Sequence, residues 1–326
     1  VVLCQVGLAI AQPFIMNAVT ALSVRWFPLK ERALAAGMAS LAMYVGIIIA
    51  MVVTPAMVDT SPESATYGDG VRGMLMIYGV ITAVAAALAI VLIRERPAVP
   101  VSDEQLERHG FVEGFKHILR QRDMVITIGL FFIGLGVFNA ISAMVDSIAA
   151  SIGVQDSDGL IGGLMLIGGI IGAIVLPILS DKYRKRKIFL VICMVGMVPG
   201  VVGLAFAGDI ASSPEGAYTV ALVASFILGF FVMSAGPIGF QYSAEVSYPA
   251  PESTSQGLLL LAGQITGLVF TAGMSVRDNA WLPAFMMSFV ALSFVAVVLV
   301  SMLRESPMIL TEAERAEGKT LGQATE

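Results

Sequence analysis

Carboxamides, hydroxyls and carboxylates recur at helical spacing inside stretches that are otherwise apolar. At that depth they are the side chains able to hold a polar solute or an ion. Asn139, Ser142 and Asp146 fall at i, i+3 and i+7, on one face of a helix. Ser234, Gln241 and Glu245 make a second stripe, Gln264, Thr271 and Ser275 a third, and Gln5 and Gln12 stand seven apart near the start. Polar groups in hydrocarbon are costly, so each of these faces either a water-filled cavity or another helix. Both readings stand: lining of a central cavity near the bilayer midplane, which suits mid-span Asn139 and Gln264, or interhelical hydrogen bonds of about 0.6 kcal/mol apiece, which suits Gln5, Gln12, Ser234 and Thr271 at least as well.

The substrate-cavity candidates are therefore Asn139, Ser142, Asp146, Gln241 and Gln264, joined by Tyr44 and Gln12. Asp146 near the outer end of its span and Glu245 near the inner end of its own are open to a proton-relay or cation-ligand role. Glu245 has a second reading, favoured here, as a gate ion pair with Arg25, Arg32 or the Lys182–Lys187 cluster. The cytoplasmic gate candidates are Arg25, Arg32, Asp181, Lys182, Lys185, Arg186, Glu245 and Glu252. No Lys or Arg sits squarely inside a span, which disfavours anionic solutes. Ring faces at Tyr44, Phe131, Phe132, Phe138 and Trp281 suit an organic cation or an amphipathic solute, with lipid contact or packing as the plainer alternative.

Enzyme chemistry finds no footing in these residues. His109 and His117 are the only histidines, and both lie in a connection without a cysteine or paired carboxylate nearby. No metal, cofactor or nucleic acid is called for. The stretch Gly68-Asp-Gly-Val-Arg-Gly73 fits G-x-G-x-x-G, yet it lies in an outer turn and lacks the strand-turn-helix setting that a dinucleotide requires. Cys4 and Cys193 both fall within apolar spans and read as small buried hydrophobes.

The elements that would position these side chains follow from composition. Hydrophobic residues are 57% of the 326-residue chain and charged residues 13%, and the apolar runs are long enough to cross a hydrocarbon core about 30 Å thick. Nine spans are expected, at about 1–25, 33–58, 73–93, 124–149, 159–180, 188–207, 217–243, 256–276 and 281–303, all helical because backbone in lipid must bond internally. The turn S-D-K-Y-R-K-R-K at Ser180–Lys187 carries five cations and marks the inner side. Alternation then puts 26–32, 94–123, 244–255 and 304–326 inside too, and 17 of the 19 cations fall in these segments or at Arg25 beside them.

The connection 94–123 is long and carries an amphipathic stretch, Glu104–Arg120, expected to lie along the inner face between two bundles. A repeat supports that division. Phe27-Pro28-x-x-Glu31 with Gly46 recurs as Tyr248-Pro249-x-x-Glu252 with Gly267, at one offset of 221 and in one orientation, as in parallel-repeat carriers. By the same offset, the first bundle would start roughly 97 residues before Val1, room for three more spans, so the chain reads as spans 4 to 12 of an N-terminally truncated 6+6 protein. The expected parts are 1–93, the second half of the first bundle; 94–123, the cytoplasmic linker; 124–303, a six-helix second bundle; and 304–326, a solvated or helical cytoplasmic tail. Gly168-x-x-x-Gly172, Gly196-x-x-x-Gly200 and Gly263-x-x-x-Gly267 are small-residue seams, and with Pro13, Pro55, Pro177, Pro199 and Pro237 they read as packing sites or as bending points.

The inner turn resembles one pattern of the major facilitator superfamily, G-x-x-x-D-[RK]-x-G-[RK]-[RK]. Asp181, Lys182, Lys185 and Arg186 match it, and Pro177 and Arg184 replace its glycines. A narrower resemblance covers W-F-P-L-K-E-R at Trp26–Arg32, and Gly236–Leu258 continuing to A-G-Q-I-T-G at Ala262–Gly267. These are similar to the feline leukaemia virus subgroup C receptor branch and its prokaryotic relatives, whose animal members are associated with haem export and with choline and ethanolamine transport. The resemblance implies an all-α integral membrane protein, a major-facilitator-like 6+6 helix bundle. It also aligns Gln264 with the branch's eleventh-span Gln, Tyr44 with a fifth-span Gln and Asn139 with a seventh-span Tyr, so the cavity it implies is related but not the same.

The expected function is a secondary active transporter of a small organic solute, working by alternating access as a monomer in the plasma or inner membrane, with a proton or sodium ion as possible coupling partner. The alternative is a receptor or sensor that keeps the fold without transport.

Overall fold

The computed structural model describes residues 71–94, 111–154, 156 and 159–306, with isolated positions between 4 and 70. The described helices are α1 (Val71–Leu92), α2 (Phe111–Arg120), α3 (Arg122–Ala143), α4 (Val145–Ser151), α5 (Leu160–Tyr183), α6 (Arg186–Ile210), α7 (Pro214–Ser247), α8 (Glu252–Met274) and α9 (Leu282–Ser301). Seven of them, all but α2 and α4, are long and apolar enough to cross a membrane. They fall on the expected spans from 73–93 onward, while the first two expected spans lie outside the described residues apart from scattered helical positions. Two compact units divide at Leu106 and Glu107.

In the first unit, α1 follows a turn at Gly70, whose φ of 94° lies in the left-handed region open to glycine. The Thr54 and Tyr78 hydroxyls share a hydrogen bond of 2.7 Å. The Trp26 indole donates to the Arg94 carbonyl at 3.2 Å.

In the second unit, small residues decide which helices meet. Helix α7 packs along both α5 and α6. A Cβ on Gly168 or Gly172 would strike the Phe226 or Phe230 carbonyl, and one on Gly229 would strike that of Met165. On the α6 side, Gly200 lies against Leu228 and Gly196 against the Phe231 ring. Such seams let backbones approach closely where no hydrophobic drive holds helices together. The opposite face of α5 shows the consequence: Ile167, Ile171, Ile174 and Ile178 point outward, as lipid-facing side chains do. The protein core lies within the bundle, around Met165, Met197, Leu228, Ile238 and Phe289.

Helix ends are tied by side chains where the sequence provides them. Asp156 accepts from the Leu160 and Ile161 amides at 2.9 and 3.0 Å, capping α5, and from the Tyr218 hydroxyl at 3.2 Å. Ser213 accepts from the Gly216 amide ahead of Pro214 at the first position of α7. Helix α7 has 34 residues, about 51 Å of helix, so it outreaches a core about 30 Å thick.

One expectation changes. The span 124–149 is not one helix; it breaks at Met144 (φ −117°, ψ 18°), and the short helix α4 follows with Ile148 and Ala149 buried in the core. Tertiary contacts hold the break, including the Asn279 amide donating to the Ser147 hydroxyl at 3.3 Å. Past α9, Leu303, the last residue of the expected span, is 1% exposed and Ser306 7%, while Arg304 and Glu305 are exposed. Residues 307–326 lie outside the described residues. Of the prolines, Pro177, Pro199 and Pro237 sit inside α5, α6 and α7, and the non-helical residue of α6 is Phe206 rather than Pro199.

Candidate functional site

Polar side chains gather at two levels of the second unit, one in the middle of the spans and one at the helix ends beside the Ser180–Lys187 turn, the side expected to face inward. The mid-span group forms where α3 and α8 meet. Gly267 faces Asn139 so closely that a Cβ there would lie 2.8 Å from the Asn139 Cβ, and Gly136 faces Thr266 across the same seam, 2.7 Å by the same measure. This closeness lets the Asn139 Nδ2 donate to Gln264 Oε1 at 3.3 Å. The bond uses one donor and one acceptor of the two amides. Asn139 is half-buried, and Gln264, at the middle of α8, is exposed.

The rest of the expected cavity set is dispersed. The Ser142 hydroxyl is buried without a partner among the described residues. Asp146 stands beyond the Met144 break, exposed on α4, so it does not share a continuous helix face with Asn139 and Ser142. Ser234 and Ser275 donate to carbonyls of their own helices, Phe230 and Thr271. Gln12 is helical and exposed, and Tyr44 lies outside the described residues.

The inner group is a network around Arg186, the first residue of α6. Helix α5 runs through Asp181 to Tyr183, Arg184 takes a left-handed conformation (φ 52°), and Lys185 precedes α6, so this short turn brings Asp181 back beside Arg186. The Arg186 guanidinium pairs with the Asp181 carboxylate, donates to the Ser180 hydroxyl at 3.3 Å, and reaches Glu245 Oε1 on α7 from Nε at 3.4 Å and from a terminal nitrogen at 3.3 Å. Glu245 Oε1 also accepts from Gln241 Nε2 at 2.9 Å, and Oε2 accepts from the Ser306 hydroxyl.

The two ion pairs differ in weight. The side chains of Arg186 and Glu245 are 8% and 3% exposed, whereas Asp181 is 64% exposed. Loss of one partner from a buried pair costs roughly 3–5 kcal/mol, while an exposed pair contributes about 0–1 kcal/mol. Glu245 is thus the partner that holds Arg186.

Among the expected gate residues the structure joins Asp181, Arg186 and Glu245, and adds Gln241, which was expected with the cavity. Lys182 and Lys185 are exposed, and Glu252 lies in the first turn of α8, where the helix dipole favours a carboxylate. Arg25 and Arg32 lie outside the described residues. Sequence reasoning missed Ser180 and Ser306. The only available sign was that polar Ser306 follows an apolar span at the same inner level as Glu245.

Comparison with known proteins agrees with this architecture. Residues 1–271 match the Major Facilitator Superfamily. Solute carrier family 49 member A3 of Xenopus tropicalis is 32% identical over 266 residues, covering 80% of this chain and 53% of that protein. The choline/ethanolamine transporter FLVCR2 of Homo sapiens is 24% identical over 285 residues, covering 84% and 53%. The chain thus spans about half the length of the curated relatives it matches. Among solved structures, a bacterial homologue of the human lysosomal transporter Spinster, inward-facing and unoccupied, superposes with a TM-score of 0.50 at 16% identity, over 87% of this chain and 71% of its own. A multi-pass helical membrane bundle, small-residue seams, the Asp181–Arg186 turn and a match over residues 1–271 converge on one conclusion: the chain belongs to the Major Facilitator Superfamily.

Proposed function

We propose that the protein is a secondary active transporter that moves a small organic solute by alternating access of its helical bundles. The observation that carries this reading is the Asn139–Gln264 amide pair at mid-span. Gln264 shares its outward face of α8 with Leu261 and Leu268, and a carboxamide with spare donors and acceptors on such a face is costly in hydrocarbon. That cost is avoided where water or a solute meets it. Asn139 and Gln264 are accordingly assigned to bind solute, with Ser142, Asp146, Tyr44 and Gln12 as further cavity candidates. Arg186, Glu245 and Asp181, with Gln241, Lys182, Lys185, Glu252, Arg25 and Arg32, are assigned to the inner gate.

The solute class is a choline-like organic cation or an amphipathic amine. The relative FLVCR2 is named for choline and ethanolamine, and neutral amides and aromatic faces, without an embedded cation, suit such a ligand. Residues 1–93 belong to the first bundle, 94–123 to the linker, 124–303 to the second bundle and 304–326 to the cytoplasmic tail. The reading includes a monomer in the plasma or inner membrane, with proton or sodium coupling as the variants to test.

The test is uptake of labelled choline and ethanolamine by the full-length protein in proteoliposomes, with and without sodium and proton gradients. Saturable flux is expected, with Asn139→Ala and Gln264→Ala each raising the half-saturation concentration about tenfold, the effect of losing a hydrogen bond or two to a charged solute. Absence of flux for every solute and gradient would overturn the reading, and solute-dependent conformational change without flux would establish a receptor instead.

A further inference from the structure

Four residues shortly after α9, Leu303–Ser306, grip the inner ends of two other helices, each by a different means. Leu303 is buried in the main apolar core. The Arg304 carbonyl accepts from the hydroxyl of Tyr242, a fully buried side chain on α7, at 2.9 Å. The Glu305 carboxylate accepts from the Lys187 amide at 2.9 Å and from the Ser306 amide at 3.3 Å. The Ser306 hydroxyl donates to Glu245 Oε2.

The Glu305 contact supplies what the local sequence lacks. The first amides of a helix have no partner within it, and a side chain at the preceding position normally accepts from one of them. Before α6 that position is Lys185, which has no acceptor and makes no such bond. Glu305, 118 residues downstream, takes over the cap and sets its charge at the positive end of the α6 dipole. Ser306 completes Glu245 in the same way. Arg186 and Gln241 occupy Oε1, so without Ser306 the second oxygen of a buried carboxylate would lose this partner.

We infer that residues 303–306 form an inner strap that latches α6 to α7 around the Arg186–Glu245 pair, and that strap and pair open together. Linkage makes the coupling reciprocal: whatever separates Arg186 from Glu245 weakens the hold on Ser306, and release of the strap weakens the pair. As a brake on transport the strap rests on the alternating-access reading; as a latch within the second unit it does not.

Hydrogen exchange of the full-length protein in lipid nanodiscs, read at the amides of 186–189 and 241–247, tests the latch without any solute. Glu305→Ala is expected to speed exchange at 186–189 about fivefold, the usual effect of losing a cap. Ser306→Ala is expected to speed exchange in both segments roughly tenfold, through the orphaned carboxylate oxygen, and Ser306→Thr to restore protection. Rates unchanged within about twofold in both alanine variants would overturn the strap. Should a variant fail to fold, the unaltered protein still decides: under mild denaturant the amides of Lys187 and Ser306 are expected to share one opening transition, and independent opening would overturn the proposal. Proteoliposomes without flux alongside coupled exchange would sink the transport reading and leave the latch standing.

Discussion

Removing Arg186 separates the two ion pairs at the inner end by magnitude. In Arg186→Met the Glu245 carboxylate stays buried with only Gln241 and Ser306 as donors, so the loss is roughly 3–5 kcal/mol. Asp181→Asn removes a partner that is 64% exposed, and its loss is below about 1 kcal/mol. The double change Arg186→Met with Glu245→Leu removes both buried charges together, and the desolvation cost goes with them. Such replacements are often neutral or stabilising, so the double variant is expected within about 2 kcal/mol of the unaltered protein and well above either single variant. The resulting coupling energy, about 3 kcal/mol or more, is far larger than the value for the Arg186–Asp181 cycle. Reversible unfolding of the full-length protein in mixed micelles, followed by helical circular dichroism, measures all the variants on one scale. If Arg186→Met cost no more than Asp181→Asn, or if the double variant lost the sum of its two singles, the buried Arg186–Glu245 pair would not be what ties α6 to α7.

Three further predictions concern packing and capping. At the α3–α8 seam, Gly267→Ala puts a Cβ 2.8 Å from the Asn139 Cβ and 3.2 Å from its Nδ2, so a loss of about 1–3 kcal/mol is expected in the same unfolding assay. Gly229→Ala sets its Cβ against the Met165 carbonyl, a backbone atom that cannot swing aside, and is expected to lower the folded yield far more than Gly267→Ala, as judged by size-exclusion chromatography. Asp156→Ala strips the cap from Leu160 and Ile161 and the acceptor from Tyr218, an expected loss of about 1–2 kcal/mol, and Asp156→Asn should retain part of it. Equal unfolding midpoints for Asp156→Ala and the unaltered protein would refute the capping argument.

Spans and seams are legible because lipid imposes a rule that works on length and composition alone. Runs of apolar residues bounded by cations became α1, α3 and α5 to α9, and Gly168, Gly172, Gly196, Gly200, Gly263 and Gly267 all became close helix contacts. What stayed hidden depends on helical phase and on contacts distant in sequence. Five cations in Ser180–Lys187 look equivalent as letters. Only after Arg184 turns left-handed and Lys185 ends the turn does Arg186 begin α6 on the side of Glu245. The break at Met144 lies in A-M-V-D, without proline or glycine, and is held by contacts from Asn279 more than a hundred residues away. In the strap at Leu303–Ser306, the hydrogen-bond partners of Arg304, Glu305 and Ser306 are all 61 or more positions distant, apart from the bond between neighbours Glu305 and Ser306.

Residue type matters more than stripe geometry when polar side chains in a span are read for function. Hydroxyls on these helices bond to carbonyls three or four residues earlier in their own helix: Thr266 to Ala262 at 2.7 Å, Ser275 to Thr271 at 2.8 Å, Ser293 to Val290 at 2.6 Å. A hydroxyl satisfied in this way costs little in lipid and says nothing about a cavity, so the stripes built on Ser234 and Ser275 lose their force. A carboxamide is not fully satisfied in this way, because it has two donors and an acceptor oxygen to place. Its groups go to other side chains: Gln241 to Glu245 one turn along its own helix, Asn139 and Gln264 to each other across the α3–α8 seam. Gln241 ends on a carboxylate already held by Arg186, within a closed network of charges. The Asn139–Gln264 pair ends on itself at 3.3 Å, with Gln264 facing outward, and that unfinished hydrogen bonding at mid-span is the physical reason for assigning solute recognition there rather than to the more numerous serines.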